Sequence, residues 1–199
     1  MTTSSDTIAQ LRSLVPERAL THIEALHFTE LQATRLLNLV AISEPPVPSE
    51  VITGLPRIRV ERAFPLSASG ATRWIKGRWV IVLNAGEPAV RQRFSLAHEF
   101  KHVLDSPFGQ GRLLYPATPG MTSEQRVEST CDYFAACLFM PRVWVKRAWC
   151  GGTQDPQVLA RRFGVSVQAM QIRLLALGLT EQPRRCGGRV YFRAAPVAA

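Results

Sequence analysis

The chain has 199 residues, of which 46% are hydrophobic and 20% charged, and its formal net charge is +9. That length suits one compact domain with a substantial core plus a small appended module, and the composition excludes a disordered or membrane-embedded chain. The positive balance makes an anionic partner such as nucleic acid plausible without defining a binding face.

The opening residues, Met1 to Asp6, are polar and do not resemble a secretory signal. No apolar run approaches the roughly 20 residues of a membrane helix, so a cytoplasmic protein is expected. Four cysteines, Cys131, Cys137, Cys150 and Cys186, lie in the second half without a C-x-x-C pair, which fits free thiols in a reducing compartment.

Between Pro16 and Val40 apolar residues recur at three- and four-residue spacing, predicting one long or two short helices that Pro45, Pro46 and Pro48 forbid from continuing. Arg57 to Arg62 and Trp79 to Leu83 read as strands, with turn chemistry at Ser67 to Gly70 and at Gly77. A helix is predicted over Ala89 to Leu104 and another over Ser123 to Met140, ended by Pro141; the loop Pro107 to Gly120 joins them. Asp155 to Leu179 reads as helix, turn at Gly164, Ser166 N-cap and second helix. The expected fold is α+β: a mainly helical domain with a small, mostly antiparallel sheet over residues 1–141. A small helix-turn-helix-like module over 142–182 and a basic tail over 183–199 follow.

His98, Glu99, Phe100, Lys101 and His102 form H-E-x-x-H within a predicted helix. Residues four apart differ by only about 40° around a helix, so both imidazoles can reach one ion. Glu99, about 100° from His98, can touch a bound water without ligating, which suits a general base. A catalytic zinc needs a third protein ligand. No histidine follows His102, and Asp105 projects about 60° away from it. The helix carrying Glu124, Glu128 and Asp132 is the best source. Glu128 and Asp132 share a face, so Glu128 can ligate while Asp132 accepts a bond from a ligand imidazole.

RQRFSLAHEFKH (91–102), then E-x-x-x-D leading into YFAACLFMP (133–141), resemble the ImmA/IrrE family of metallopeptidases, and the likeness extends to LARRFGVSVQAMQIRLLALGL (159–179). The resemblance implies a zincin-like domain with Zn2+ on His98, His102 and Glu128. It also implies cleavage of a helix-turn-helix transcriptional repressor in a stress-response or mobile-element circuit. The chain departs from the family pattern at Lys101, where a small residue is common, at Asp132 (asparagine) and at Cys131 (alanine). Lys101 is expected to reach solvent on its flexible stem.

Tyr115 and Tyr133 are candidate donors to the oxyanion of a tetrahedral intermediate, though packing is the favoured account of each, and His22 and His27 are expected on the surface. The competing reading is a non-proteolytic regulator that keeps the zincin shape and binds a repressor or DNA. In it Arg161, Arg162, Arg173 and the Arg184 to Arg193 tail meet phosphates. Glu99 beside the first histidine favours the enzyme, and the second helix of the helix-turn-helix-like segment carries too few basic groups to favour direct DNA binding.

Overall fold

In a computed structural model, residues 7–109 and 111–180 are described. The order is α1 (Thr7–Arg12), α2 (His22–Leu39), a single turn α3 (Glu50–Thr53), β1 (Ile58–Ala63), β2 (Gly70–Ile75) and β3 (Arg78–Asn84). There follow α4 (Ala89–Asp105), α5 (Ser123–Phe139), α6 (Arg142–Cys150), α7 (Pro156–Phe163) and α8 (Val167–Ala176). Helices with one small sheet make this an α+β chain. The tail from residue 183, with Cys186, lies outside the described residues.

The sheet corrects the expectation of mostly antiparallel pairing. Its order is β1-β3-β2, with β1 parallel and β2 antiparallel to β3. The reason is β2, which the sequence reading left as connecting chain. Lys76 and Gly77 both have positive φ, 47° and 80°, as a two-residue hairpin turn requires. That turn folds β2 back on β3, with Ile75 opposite Arg78. β3 is the central strand, and its Val80 to Leu83 run is buried.

Two helix starts are fixed by reciprocal caps. The Thr21 hydroxyl accepts from Glu24 N while the Glu24 carboxylate accepts from Thr21 N, and Thr122 and Gln125 repeat the device at the head of α5. Pro141 ends α5 but also opens α6, since a proline suits the first turn of a helix as well as the stop of the preceding one. Gly164, at φ +63°, closes α7 in the left-handed conformation that glycine adopts without strain. The Ser166 hydroxyl caps α8 by accepting from Ala169 N.

One core cluster joins Leu36 of α2, Ile81 and Leu83 of β3, Leu96 and Phe100 of α4, and Phe134 and Leu138 of α5. It runs on to Phe163 of α7 and Met170 and Leu174 of α8. The helix-turn-helix-like segment therefore shares its packing with the rest of the chain. At the centre of this arrangement lies α4. From Ser95 to Asp105 every residue is buried except His98 and His102.

Candidate metal centre and active site

Because α4 is covered by β2 and β3 on one side and by α2 and α5 on others, its two histidines form the one partly open stripe of that stretch. They face α5. His98 Nε2 lies 3.2 Å from His102 Nε2, 3.3 Å from Glu128 Oε2, and His102 Nε2 is 3.5 Å from Glu128 Oε1. Ligands about 2.05 Å from a tetrahedral zinc sit about 3.3 Å from one another, and each imidazole lies near that spacing from one oxygen of the Glu128 carboxylate, His98 from Oε2 and His102 from Oε1. The Glu128 side chain is 59% exposed, which leaves the mouth open to solvent.

His98 Nδ1 lies 2.8 Å from Asp132 Oδ1. A carboxylate only accepts, so Nδ1 carries the proton and Nε2 keeps the lone pair that a metal needs. Burial pulls His98 down, but Asp132, aided by Glu99 and Glu128, outweighs it and leaves the imidazole raised. His102 is lowered, first by burial and then by its neighbour His98. Two such close imidazoles resist a second proton and suit a shared cation.

Cys131 offers a second possible third donor, its sulfur lying with the two histidine donors in a group whose atoms are all within 4.8 Å. Burial pushes this thiol well up, so forming the thiolate is costly, whereas the Glu128 side chain is 59% exposed at the mouth of the site. Chemistry favours the carboxylate.

Glu99 is buried between α4 and β2, where the Thr72 hydroxyl donates to its Oε2 at 2.6 Å. Gly70 permits that approach: a Cβ there would lie 2.9 Å from Glu99 Cγ. Neither partner was evident in the sequence, because the contact spans 27 residues and depends on an unrecognised strand.

Lys101 does not reach solvent. It is fully buried, with Nζ donating to Asp105 Oδ1 at 2.6 Å, Gln32 Oε1 at 2.9 Å and Tyr115 Oη at 3.1 Å. Burial opposes its charge, yet Asp105 and Tyr115 together hold the ammonium raised. Tyr115 is thereby engaged in packing away from the cleft. Tyr133 is half-buried, with its hydroxyl 3.5 Å from Glu30. His22 and His27 are exposed and belong to no metal-capable group among the described residues. Arg173, assigned to phosphates in the competing reading, is buried.

A helix presenting two imidazoles, with a carboxylate from the neighbouring helix and a second carboxylate held against a strand, is a metallopeptidase-type arrangement. A family profile for the peptidase M78 group, described as the IrrE N-terminal-like domain, matches residues 57–175, and the chain belongs to that family. Among solved structures, a Mycobacterium tuberculosis transcriptional regulator is similar with a TM-score of 0.60 and 19% identity. The match covers 91% of this chain and 54% of that one, so the chain spans about half of that protein, and the likeness is one of fold. A search of curated proteins finds no match. No helix among the described residues is long and apolar enough to cross a membrane.

Proposed function

We propose that the chain is a cytoplasmic zinc endopeptidase that cuts a helix-turn-helix transcriptional repressor within a stress-response or mobile-element circuit. His98, His102 and Glu128 hold the metal, Asp132 orients His98, and Glu99 is the general base. The observation that carries this reading is the Glu128 carboxylate set against two imidazole nitrogens 3.2 Å apart, its Oε2 at 3.3 Å from His98 and its Oε1 at 3.5 Å from His102. When bound there, zinc acidifies a water and polarises the scissile carbonyl.

Glu99 accepts the proton of the attacking water and delivers it to the leaving amine. Thr72 keeps the carboxylate in place through both transfers. The outer edge of β2 carries no strand partner among the described residues and runs beside Glu99, so an extended peptide can pair with it and present a carbonyl to the site. The division at residues 141 and 142 is functional in this reading: the first part cuts, and the second, although packed into the same core, shapes the cleft.

The test is metal content by elemental mass spectrometry. Near-stoichiometric zinc in the parent and in Glu99→Gln, its loss in Glu128→Ala, and cleavage by the parent alone are expected. Zinc retained equally in Glu128→Ala removes Glu128 as the ligand. Zinc retained there but lost in Cys131→Ser identifies the thiol instead.

The competing reading, binding of a repressor without cleavage, draws on the solved transcriptional regulator of similar fold. Incubating the parent with the repressor separates the two, since only the peptidase yields fragments that Glu99→Gln does not. Direct contact with DNA is weakened by the burial of Arg173.

A further inference from the structure

A cavity of about 420 Å³ lies between the start of α4, the outer face of α5 and α8. Its walls are largely apolar, with Phe94, Ala136, Met140 and Ala169 among them. Asp132 belongs to the same wall and is also the partner of His98, so the cavity adjoins the histidine pair.

Arg173 of α8 also lines this cavity and is only 2% exposed. Its Nε donates to Met140 O at 3.0 Å, and its guanidinium carbon lies 5.5 Å from the Tyr133 ring centroid. Its Nη2 is buried without a hydrogen bond of good geometry, Tyr133 and Cys137 are the polar groups beside the guanidinium, and among the described residues Arg173 forms no ion pair. The end of α5 supplies only partial negative charge. A buried cation without a counterion is costly, and an arriving carboxylate relieves that cost. Leucine or methionine would fill the same place without the penalty, so packing alone does not account for an arginine here.

We infer that this cavity is a specificity pocket which takes an acidic side chain of the peptide substrate, with Arg173 as its counterion. The inference rests on the peptidase reading and deepens it. The stem of a bound glutamate lies against the apolar walls, its carboxylate meets Arg173, and its backbone stays at the rim beside Asp132. Arg91, whose Nε lies 3.8 Å from Glu87 Oε1, stands at the same rim as a second, already paired cation.

The test uses the full-length Glu99→Gln protein loaded with zinc, which binds without cutting. It is immobilised and offered short random-sequence peptides whose central residue is Glu, Gln or Lys, and the retained peptides are quantified by mass spectrometry. Glu peptides are expected to be retained about tenfold over Gln peptides, the lower end of what a hydrogen bond to a charged group contributes. Arg173→Gln loses the preference and Arg173→Lys keeps part of it. Ala169→Phe, which fills the cavity while leaving the arginine in place, lowers retention of Glu peptides.

Metal content and thermal midpoint are recorded for each variant, so an unfolded protein is recognised. Equal retention of Glu and Gln peptides by a folded, zinc-loaded protein overturns the inference, as does a preference that survives Arg173→Gln or an absence of any retention. A parent without metal defeats the peptidase reading separately. A Glu preference that depends on Arg173 in such a protein leaves the pocket standing alone.

Discussion

Lys101 Nζ and Asp105 Oδ1 lie 2.6 Å apart one turn along α4, both fully buried, with Asp105 near enough for its charge to act on His102. With Gln32 and Tyr115 as further acceptors, all three ammonium protons have a partner. The network ties α2 and the loop before α5 to the helix that carries the site. Removing one member leaves the other charge buried and unpaired, at a cost of about 3–5 kcal/mol. Lys101→Met and Asp105→Leu are each expected to show that loss by urea unfolding. The double variant should recover at least half of it, since an apolar pair leaves no orphaned charge. A double variant as unstable as the sum of the singles would show that the pair's geometry, rather than its charge balance, holds the helix.

That buried pair marks the limit of what periodicity reveals. That the two histidines lie side by side was legible because a four-residue spacing is local, and that Glu128 comes up to them because few downstream carboxylates share a helical face with a second acceptor. Lys101 was misread because a helix buried on nearly every side has the same local pattern as a surface one; the groups around it, Gln32 and Phe28 of α2, Tyr115 and Cys131, are distant in sequence. Thr72 and Gly70 escaped for a related reason. GATRWI has no clean alternation, and its strand exists because the Lys76–Gly77 turn sets it against β3. Pro141 was read as a stop alone, so α6 was missed.

Acid should loosen the start of α2. Glu24 is held down at about 2, first by its hydrogen bond to Arg18 and then by Thr21. A carboxylate depressed in the folded state contributes stability above its ordinary value, and that contribution is lost as pH falls from about 4.5 through about 2. Because the pair is exposed, salt screens the effect. Urea midpoints measured from neutral pH into acid should fall more steeply for the parent than for Glu24→Gln, with the difference shrinking in high salt. Parallel curves would mean that the cap is matched in the unfolded chain.

Asp132 is the next lever, because in the proposed site it acts on the metal through its contact with His98. Deleting an acceptor of this kind typically weakens metal affinity about 10- to 100-fold. Asp132→Ala should show that loss in a chelator competition, whereas Asp132→Asn, whose side-chain oxygen still accepts from Nδ1, should retain most of the affinity. Unchanged affinity in Asp132→Ala would mean that the rigid packing of α4 orients His98 without help.

Thr72 separates catalysis from metal binding. Its hydroxyl donates to Glu99 Oε2 at 2.6 Å from β2, a strand that supplies none of the proposed ligands. Thr72→Val keeps the shape and removes the bond. A hydrogen bond to a charged group is worth about 1.5–3 kcal/mol, so kcat should fall about 10- to 100-fold while zinc content stays at the parental level. Gly70→Ala attacks the same carboxylate from the other side, since its methyl would crowd Glu99 Cγ at 2.9 Å. It too should lower kcat without displacing zinc. If both variants cut at the parental rate, Glu99 needs no such support, and β2 serves the peptide rather than the base. If either loses its metal, the strand instead holds α4 in register with α5, and Glu99 is positioned by the same packing that brings Glu128 to the histidines.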